Sequence, residues 1–203
     1  MARWIEPVVL EGEHVVLEPL AHSHVDALSR AAADGELWRL WYTSVPAPGQ
    51  TAAYVDAALE MREREGALPF VVRRRADDAI VGCTRYLHVE AEHRRLEVGH
   101  TWYASSAQHT VVNPECKLLL LGHAFERLGA IAVELRTHFL NHASRRAIER
   151  LGAKLDGVLR HHRVMPNGTL RDTCVYSILA AEWPAVREGL KLRLALRSGE
   201  RRC

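Results

Sequence analysis

The sequence predicts a mixed α/β (α+β) fold, a mostly antiparallel, twisted sheet flanked by helices. Three observations carry this. Apolar patterns of period two and period 3.6 run in the order strand, two helices, three strands, helix, strand, helix, two strands, helix. Two junctions, Ala76-Asp77-Asp78 and Met165-Pro166-Asn167-Gly168, have the short polar or Asn-Gly chemistry of hairpins. The strand–helix–strand stretch over 95–137 is long enough for one locally parallel pair. Mixed order with local hairpins is the pattern of a layered α/β domain. We expect one domain over 1–203, with a core over about 13–182 and a C-terminal helix and tail over 183–203.

The elements follow in order. Residues 14–20 read as a first strand and 24–38 as a helix, while two prolines and a glycine make 43–49 a loop. Thr51 is placed to cap a helix to Arg64, with Tyr54, Ala58 and Met61 on one face and Gly66 ending it. Strands follow at 68–75, 79–89 and 95–103. In the last, period two puts Leu96, Val98, His100 and Trp102 on one face and Glu97, Gly99, Thr101 and Tyr103 on the other. A loop over 104–112 leads to Asn113-Pro114-Glu115. An Asn N-cap, a Pro at the first position and an acid at the positive dipole end open a helix there. Leu118, Leu121, Phe125 and Leu128 form its buried stripe, and Gly129 stops it. Residues 131–137 are a strand. Asn141 caps a helix over 142–151 that Gly152 ends, strands follow at 158–164 and 170–179, and a last amphipathic helix starts near Glu182.

Composition narrows the class. With 48% hydrophobic and 26% charged residues in 203, the chain is ordinary globular material that needs no disulfide or metal to fold. A formal charge of +2 does not argue for nucleic acid. The basic tail Arg197-Ser198-Gly199-Glu200-Arg201-Arg202-Cys203 reads as a solvated terminus. Cys83, Cys116, Cys174 and Cys203 form no Cys-x-x-Cys pair, so neither zinc nor a dithiol motif is supported. The start, Met1-Ala2-Arg3-Trp4-Ile5-Glu6, lacks a signal-peptide core, and no apolar run approaches the roughly 18 residues of a membrane helix. We expect a cytoplasmic protein with no membrane partner.

A loop between a strand and a helix start exposes unpaired backbone N–H groups, and with the helix dipole these form a place for an anion such as pyrophosphate. Residues Gln108, His109, Thr110, Val111, Val112 and Asn113 are that place here, and Glu115 suits it only if its side chain turns away.

The stretches Glu97-Val98-Gly99-His100-Thr101-Trp102, Asn113-Pro114-Glu115-Cys116-Lys117 and Asn141-His142-Ala143-Ser144-Arg145-Arg146-Ala147-Ile148-Glu149-Arg150-Leu151-Gly152-Ala153 resemble the GNAT acyltransferases, most of all their RimJ/RimL-type branch. Arg171-Asp172-Thr173 before an apolar strand also fits. The resemblance spans nearly the whole chain. It implies acetyl-CoA as co-substrate, with the pyrophosphate on the loop before the long helix, and an amine acceptor. The branch favours a protein N-terminus over a small amine. Family loops run Gln or Arg, two residues, Gly, one residue, then Gly or Ala. Gln108 fits, but Val111 and Asn113 stand at the small positions. A tyrosine acid common in the family is replaced by Ile148, which leaves Ser144 as the candidate hydrogen-bond donor to the leaving sulfur or a simple helix-cap residue.

The resemblance implies further roles. Glu97 is the candidate base, or a plain surface carboxylate. The backbone of Trp102 and Tyr103 would contact the acetyl and pantetheine arm, and Asn141 the pantetheine amides besides capping its helix. Trp38, Trp41 and Tyr42 wall the acceptor cleft or pack in the core. His100 and His138 are alternative bases or ordinary histidines. The twelve histidines support no metal: His161 and His162 alternate across a strand, and His22 and His24 lack a third ligand. Trp183, Leu190, Leu192, Leu194 and Leu196 suit a homodimer contact or packing on the chain's own sheet. The missing loop glycines and tyrosine motivate one rival, a non-catalytic acyl-CoA-binding or interaction protein.

Overall fold

The computed structural model describes residues 4–199; Met1, Ala2, Arg3 and the tail from Glu200 to Cys203 lie outside them. Eight strands form one sheet: β1 (Leu10–Glu11), β2 (Val15–Pro19), β3 (Leu68–Arg74), β4 (Ala79–Glu90), β5 (Arg95–Tyr103), β6 (Ala132–His138), β7 (Lys154–Val164) and β8 (Leu170–Leu179). Their order is β1-β2-β3-β4-β5-β6-β8-β7. Every neighbouring pair is antiparallel except β5 and β6. The expected parallel pair is therefore the crossover through the third helix. Its antiparallel flanks come from the two hairpins, which need only short turns. β1 was not legible, because two residues carry no period.

The helices are α1 (Val25–Ala33), α2 (Thr51–Glu65), α3 (Val112–Gly122), α4 (His142–Glu149) and α5 (Trp183–Arg197). α2 ends as expected, on Gly66 at φ 70°, whose N–H returns to the Met61 carbonyl. Thr51 is not its cap. Gln50 holds that position, and Thr51 is buried as the first helical residue. α1 stops at Ala33 rather than at 38, because Gly35 and Glu36 both turn left-handed, at φ 90° and 48°.

α3 begins two residues earlier than its Asn-Pro-Glu signal. Val111 is the N-cap, so Asn113 sits inside the first turn and caps nothing. The helix finishes in a π turn, His123–Arg127, before Gly129 at φ 65°. Its buried face is Val112, Cys116, Leu120, Leu121 and Ala124. Leu118, Phe125 and Leu128 are only partly buried, because they meet another helix, not the sheet; Phe125 stacks on Trp183 of α5 at 5.6 Å.

The sheet separates two helical layers. Tyr54 of α2 accepts from the indole of Trp102, which pairs with Cys83 of β4. Tyr86, three residues on in β4 and so on the opposite face, donates to the Leu120 carbonyl of α3 at 2.6 Å. α5 packs behind α3. Of the two readings left open for these residues, Trp183 and Leu190 take packing within the chain, whereas Leu192 and Leu196 are exposed.

Candidate active site

The site starts from the one parallel pair. β5 and β6 pair only over Arg95–Glu97 and Ala132–Glu134; beyond Glu97↔Glu134 they part, with β5 running on to Tyr103 and β6 to His138. A wedge opens between them with unpaired strand edges on both sides. At its head β5 carries a bulge: between the pairs Gly99↔Arg85 and Trp102↔Cys83 it has two residues, His100 and Thr101, against one in β4. His100 takes the left-handed conformation, φ 48°.

The bulge changes which side chains share a face. Val98 pairs with Tyr86 on the α3 side, and Thr101 accepts from Lys117 of α3 at 3.3 Å. Trp102 instead reaches Tyr54 on the α2 side. Leu96, Val98, His100 and Trp102 therefore do not share one face, as strict alternation required. The same device recurs at His88 (φ 46°) in β4 and His161 (φ 48°) in β7, each inside a register shift. Histidine tolerates this conformation better than most residues with a Cβ. Part of the histidine abundance is thus conformational. His161 and His162 still point apart despite the bulge: His161 is exposed, and His162 turns in to Thr173 Oγ1 at 3.0 Å.

Glu97 is buried, 5% exposed, on the α2 face, where a Cβ at Gly99 would come within 2.6 Å of its Oε1. Glycine at 99 keeps the space in front of this carboxylate open. His88 Nδ1 lies 2.8 Å from Glu97 Oε2 and Arg136 Nε 3.4 Å from it. His88 itself is 36% exposed, so the pair links a buried carboxylate to solvent. His88 was missed in the sequence because a bulge, not a period, turns it inward.

The loop expected to hold an anion lies at the far end of β5. Gln108 Nε2 donates to the Tyr103 carbonyl at 3.0 Å, so its side chain shapes the loop from within. Thr110 Oγ1 donates to the Ala107 carbonyl at 2.6 Å and accepts weakly from the Val112 amide. The amides of His109, Thr110, Val111 and Asn113 have no acceptor among the described residues. The positive φ sits at His109 (61°), while Val111 is right-handed at φ −67°. A glycine at 111 is therefore not needed for conformation. Glu115 does turn away: its carboxylate accepts from the amides of Glu13, His14 and Val15, each at 2.8 Å. A cleft of about 310 Å³ borders the loop at Thr110, Val111 and Val112 and is lined also by Arg74 and Arg75. A second cleft, of about 420 Å³, lies beside α1 and holds none of the candidate residues.

Across the wedge, Asn141 caps α4: its Oδ1 accepts from the Ser144 amide at 3.0 Å. The Asn141 Nδ2 and the Ser144 hydroxyl have no partner among the described residues, so both remain available as donors. On the α3 side Lys117 is buried without a carboxylate, and burial lowers its ammonium to about 8.

The region expected to face the acceptor is aromatic and cationic. Trp41 meets His138 edge-on at 5.1 Å, and Tyr42 lies 6.2 Å from the same ring; Trp38 makes no ring contact among the described residues. His100 lies beside Ser44, at 3.5 Å. Burial first, then the charges of Arg85, Arg163, Arg171 and His88, hold His100 at about 3. His138 is also lowered, chiefly by burial. At about 3, His100 is too weak a base to accept a proton near neutral pH, and burial weakens His138 in the same direction. Among the described residues no three His, Cys, Asp or Glu side chains converge as metal ligands, and no helix is long and apolar enough to cross a membrane.

Known proteins with this architecture agree with the geometry. Residues 14–154 match the family model described as an acetyltransferase (GNAT) domain. A structure assigned among the acetyltransferases of T. thermophilus is 37% identical, with a TM-score of 0.83, covering 94% of this chain and 99% of that one. A GCN5-related N-acetyltransferase from Brucella melitensis is 28% identical, with a TM-score of 0.81 and coverages of 94% and 87%. The Bacillus subtilis (strain 168) protein YoaA, an uncharacterized N-acetyltransferase, is 22% identical over 177 residues, 84% of this chain and 96% of that one. RimL, a ribosomal L7/L12 alpha-N-protein acetyltransferase solved in complex with coenzyme A, shares the fold at 18% identity and a TM-score of 0.71, covering 85% of this chain and 98% of that one.

Proposed function

Because this chain belongs to the GNAT acetyltransferase family, we infer that it moves an acetyl group from acetyl-CoA to a primary amine by direct attack in a ternary complex. The observation that carries this reading is the wedge between β5 and β6, with free loop amides at one end and a buried carboxylate at the other. Those amides and the dipole of α3 suit a pyrophosphate, whereas Arg74 and Arg75 in the adjoining cleft are already paired with Asp77 and Glu11. The strand edge at Trp102 and Tyr103 and the Asn141 amide suit a pantetheine arm. Acetyl-CoA supplies the activated acyl group as a thioester.

The chain's own residues would do the rest. Glu97 takes the proton of the attacking amine, directly or through one water, and His88 passes it to solvent. The amine lone pair forms the N–C bond as the C–S pair leaves with sulfur. A backbone N–H freed at the His100 bulge stabilises the charge developing on the acyl oxygen. The Ser144 hydroxyl donates a hydrogen bond to the departing sulfur, and a solvent proton completes the thiol. Ile148 is buried and cannot substitute. Protein N-termini and small amines both remain acceptors of the right chemistry.

Isothermal titration with acetyl-CoA and with free CoA tests the reading, with micromolar binding expected for both. Val111→Asp places a negative charge among the loop amides and is expected to weaken binding about tenfold, on the scale of one pKa-type charge interaction. Wild-type protein that binds neither molecule would instead favour the interaction-protein reading.

A further inference from the structure

The acceptor vestibule holds donors without acceptors. Arg85, on the α2 face opposite Gly99, is 3% exposed, yet no carboxylate among the described residues pairs with it; its partners are Met61 Sδ at 3.2 Å and the Tyr54 ring at 5.4 Å. Arg163 and Arg171 stand directly opposite each other across β7 and β8. Like charges in that position destabilise a sheet. Among the described residues neither has a carboxylate at salt-bridge distance; Arg171 donates to Thr173 Oγ1 at 2.9 Å and feels the Glu97 carboxylate only at longer range. His138 adds a fourth donor. The Leu140 amide donates to its Nδ1 at 3.0 Å, so the neutral ring carries its proton on Nε2. That Nε2 is buried beside Trp41 and has no partner.

The vestibule's carboxylates do not balance this surplus. Glu97 is engaged by His88 and Arg136, Glu134 by Arg95 and Arg136, and Asp172 by Arg160 and the His161 amide. The field of Arg85, Arg163 and Arg171 converges on His100 at the bulge, beside the wedge. A buried guanidinium without an anion, as at Arg85, is destabilising. A ligand that supplies the anion removes that cost.

We propose that the acceptor is a small amine of the amino-acid class, carrying a carboxylate that Arg85, Arg163, Arg171 and His138 hold while Glu97 faces its amine. The proposal rests on the acetyl-transfer reading and refines it. An α-amino acid presents both charges a few ångströms apart, the complement of a carboxylate base flanked by arginines. A polycationic amine meets repulsion in the same place, and a neutral amide leaves the guanidinium groups unpaired.

The test is acetyl-CoA-dependent thiol release by the full chain with matched pairs, each free amino acid against its own amide, together with spermidine. Sites built around a polar group reject the analogue that lacks it by large factors. We expect kcat/KM to favour the free acids by at least ~100-fold, carried mainly by KM. Arg171→Gln and the exposed Arg163→Gln should each raise KM for the preferred acid about tenfold and shrink the acid-to-amide ratio. A general loss of structure would not change that ratio. An enzyme that binds acetyl-CoA but prefers amides or spermidine, or acetylates no free amino acid, overturns the proposal. A chain that binds no acetyl-CoA in the titration fails at the earlier step, and the proposal goes with it.

Discussion

Two carboxylates, on opposite sides of the sheet, are each 5% exposed and have opposite meanings. Glu115, on α3, is held by three consecutive backbone amides of the β1–β2 turn. Even Gly12 serves that arrangement, since a Cβ there would come within 2.6 Å of the carboxylate carbon. Glu97, on β5, meets only ionisable side chains, His88 and Arg136, one of them open to solvent. Backbone amides cannot exchange a proton with a carboxylate, whereas a histidine can. Burial alone thus says little about a charged residue's role. Its partners decide whether it is a fastener or a chemical group.

Four substitutions sharpen or break this contrast. The largest effect belongs to Glu97→Gln. Loss of a positioned base typically removes 10²–10⁴ in rate, so kcat should fall at least ~100-fold while the calorimetric acetyl-CoA Kd stays within about threefold. Intact turnover would remove Glu97 from the chemistry. Glu115→Ala should do the reverse. It strands three amides that shared a charged acceptor, at a cost of roughly 3–5 kcal/mol, and should lower Tm by on the order of 10 °C without changing kcat at low temperature.

Lys117→Met tests the buried cation between the two. The folded value near 8 lies below 10.5, so burial of the ammonium costs stability below pH 8, and the cost fades as pH rises through 8 toward 10.5. At pH 7 the cost is at most ~3 kcal/mol, so the methionine variant should melt a few degrees higher, with the advantage gone near pH 10.5. An unchanged melting curve at pH 7 would mean that solvent reaches the amine.

The smallest effect is expected from His100→Asn, since asparagine also accepts φ 48°. His100 sits at about 3 against an ordinary 6.5, so the unfolded chain binds its proton first. Its contribution is whole above pH 6.5 and is lost as pH falls toward 3. The variant should therefore flatten the decline of stability across that window, read as Tm against pH. A decline as steep as before would place the acid sensitivity elsewhere.

Much of this molecule was decided locally. The hairpin at Met165-Pro166-Asn167-Gly168, the cap at Asn141, the stops at Gly66, Gly129 and Gly152, and the single parallel crossover all follow from short-range chemistry in the sequence. So did the loop of free amides before α3, because a strand running into a helix leaves such groups unpaired by construction. Asn113 misled by two residues, since a good cap residue is also tolerated just inside a helix. The vestibule was different. Arg85 lies in an apolar run, and Arg163 and His88 carry no motif. Bulges at His88, His100 and His161 break the period that assigns side chains to faces, and a bulge is a property of a strand and its partner together. Only the paired sheet decides where the extra residue goes. Only then do the charges of arginines on β4, β7 and β8 act together on one histidine of β5.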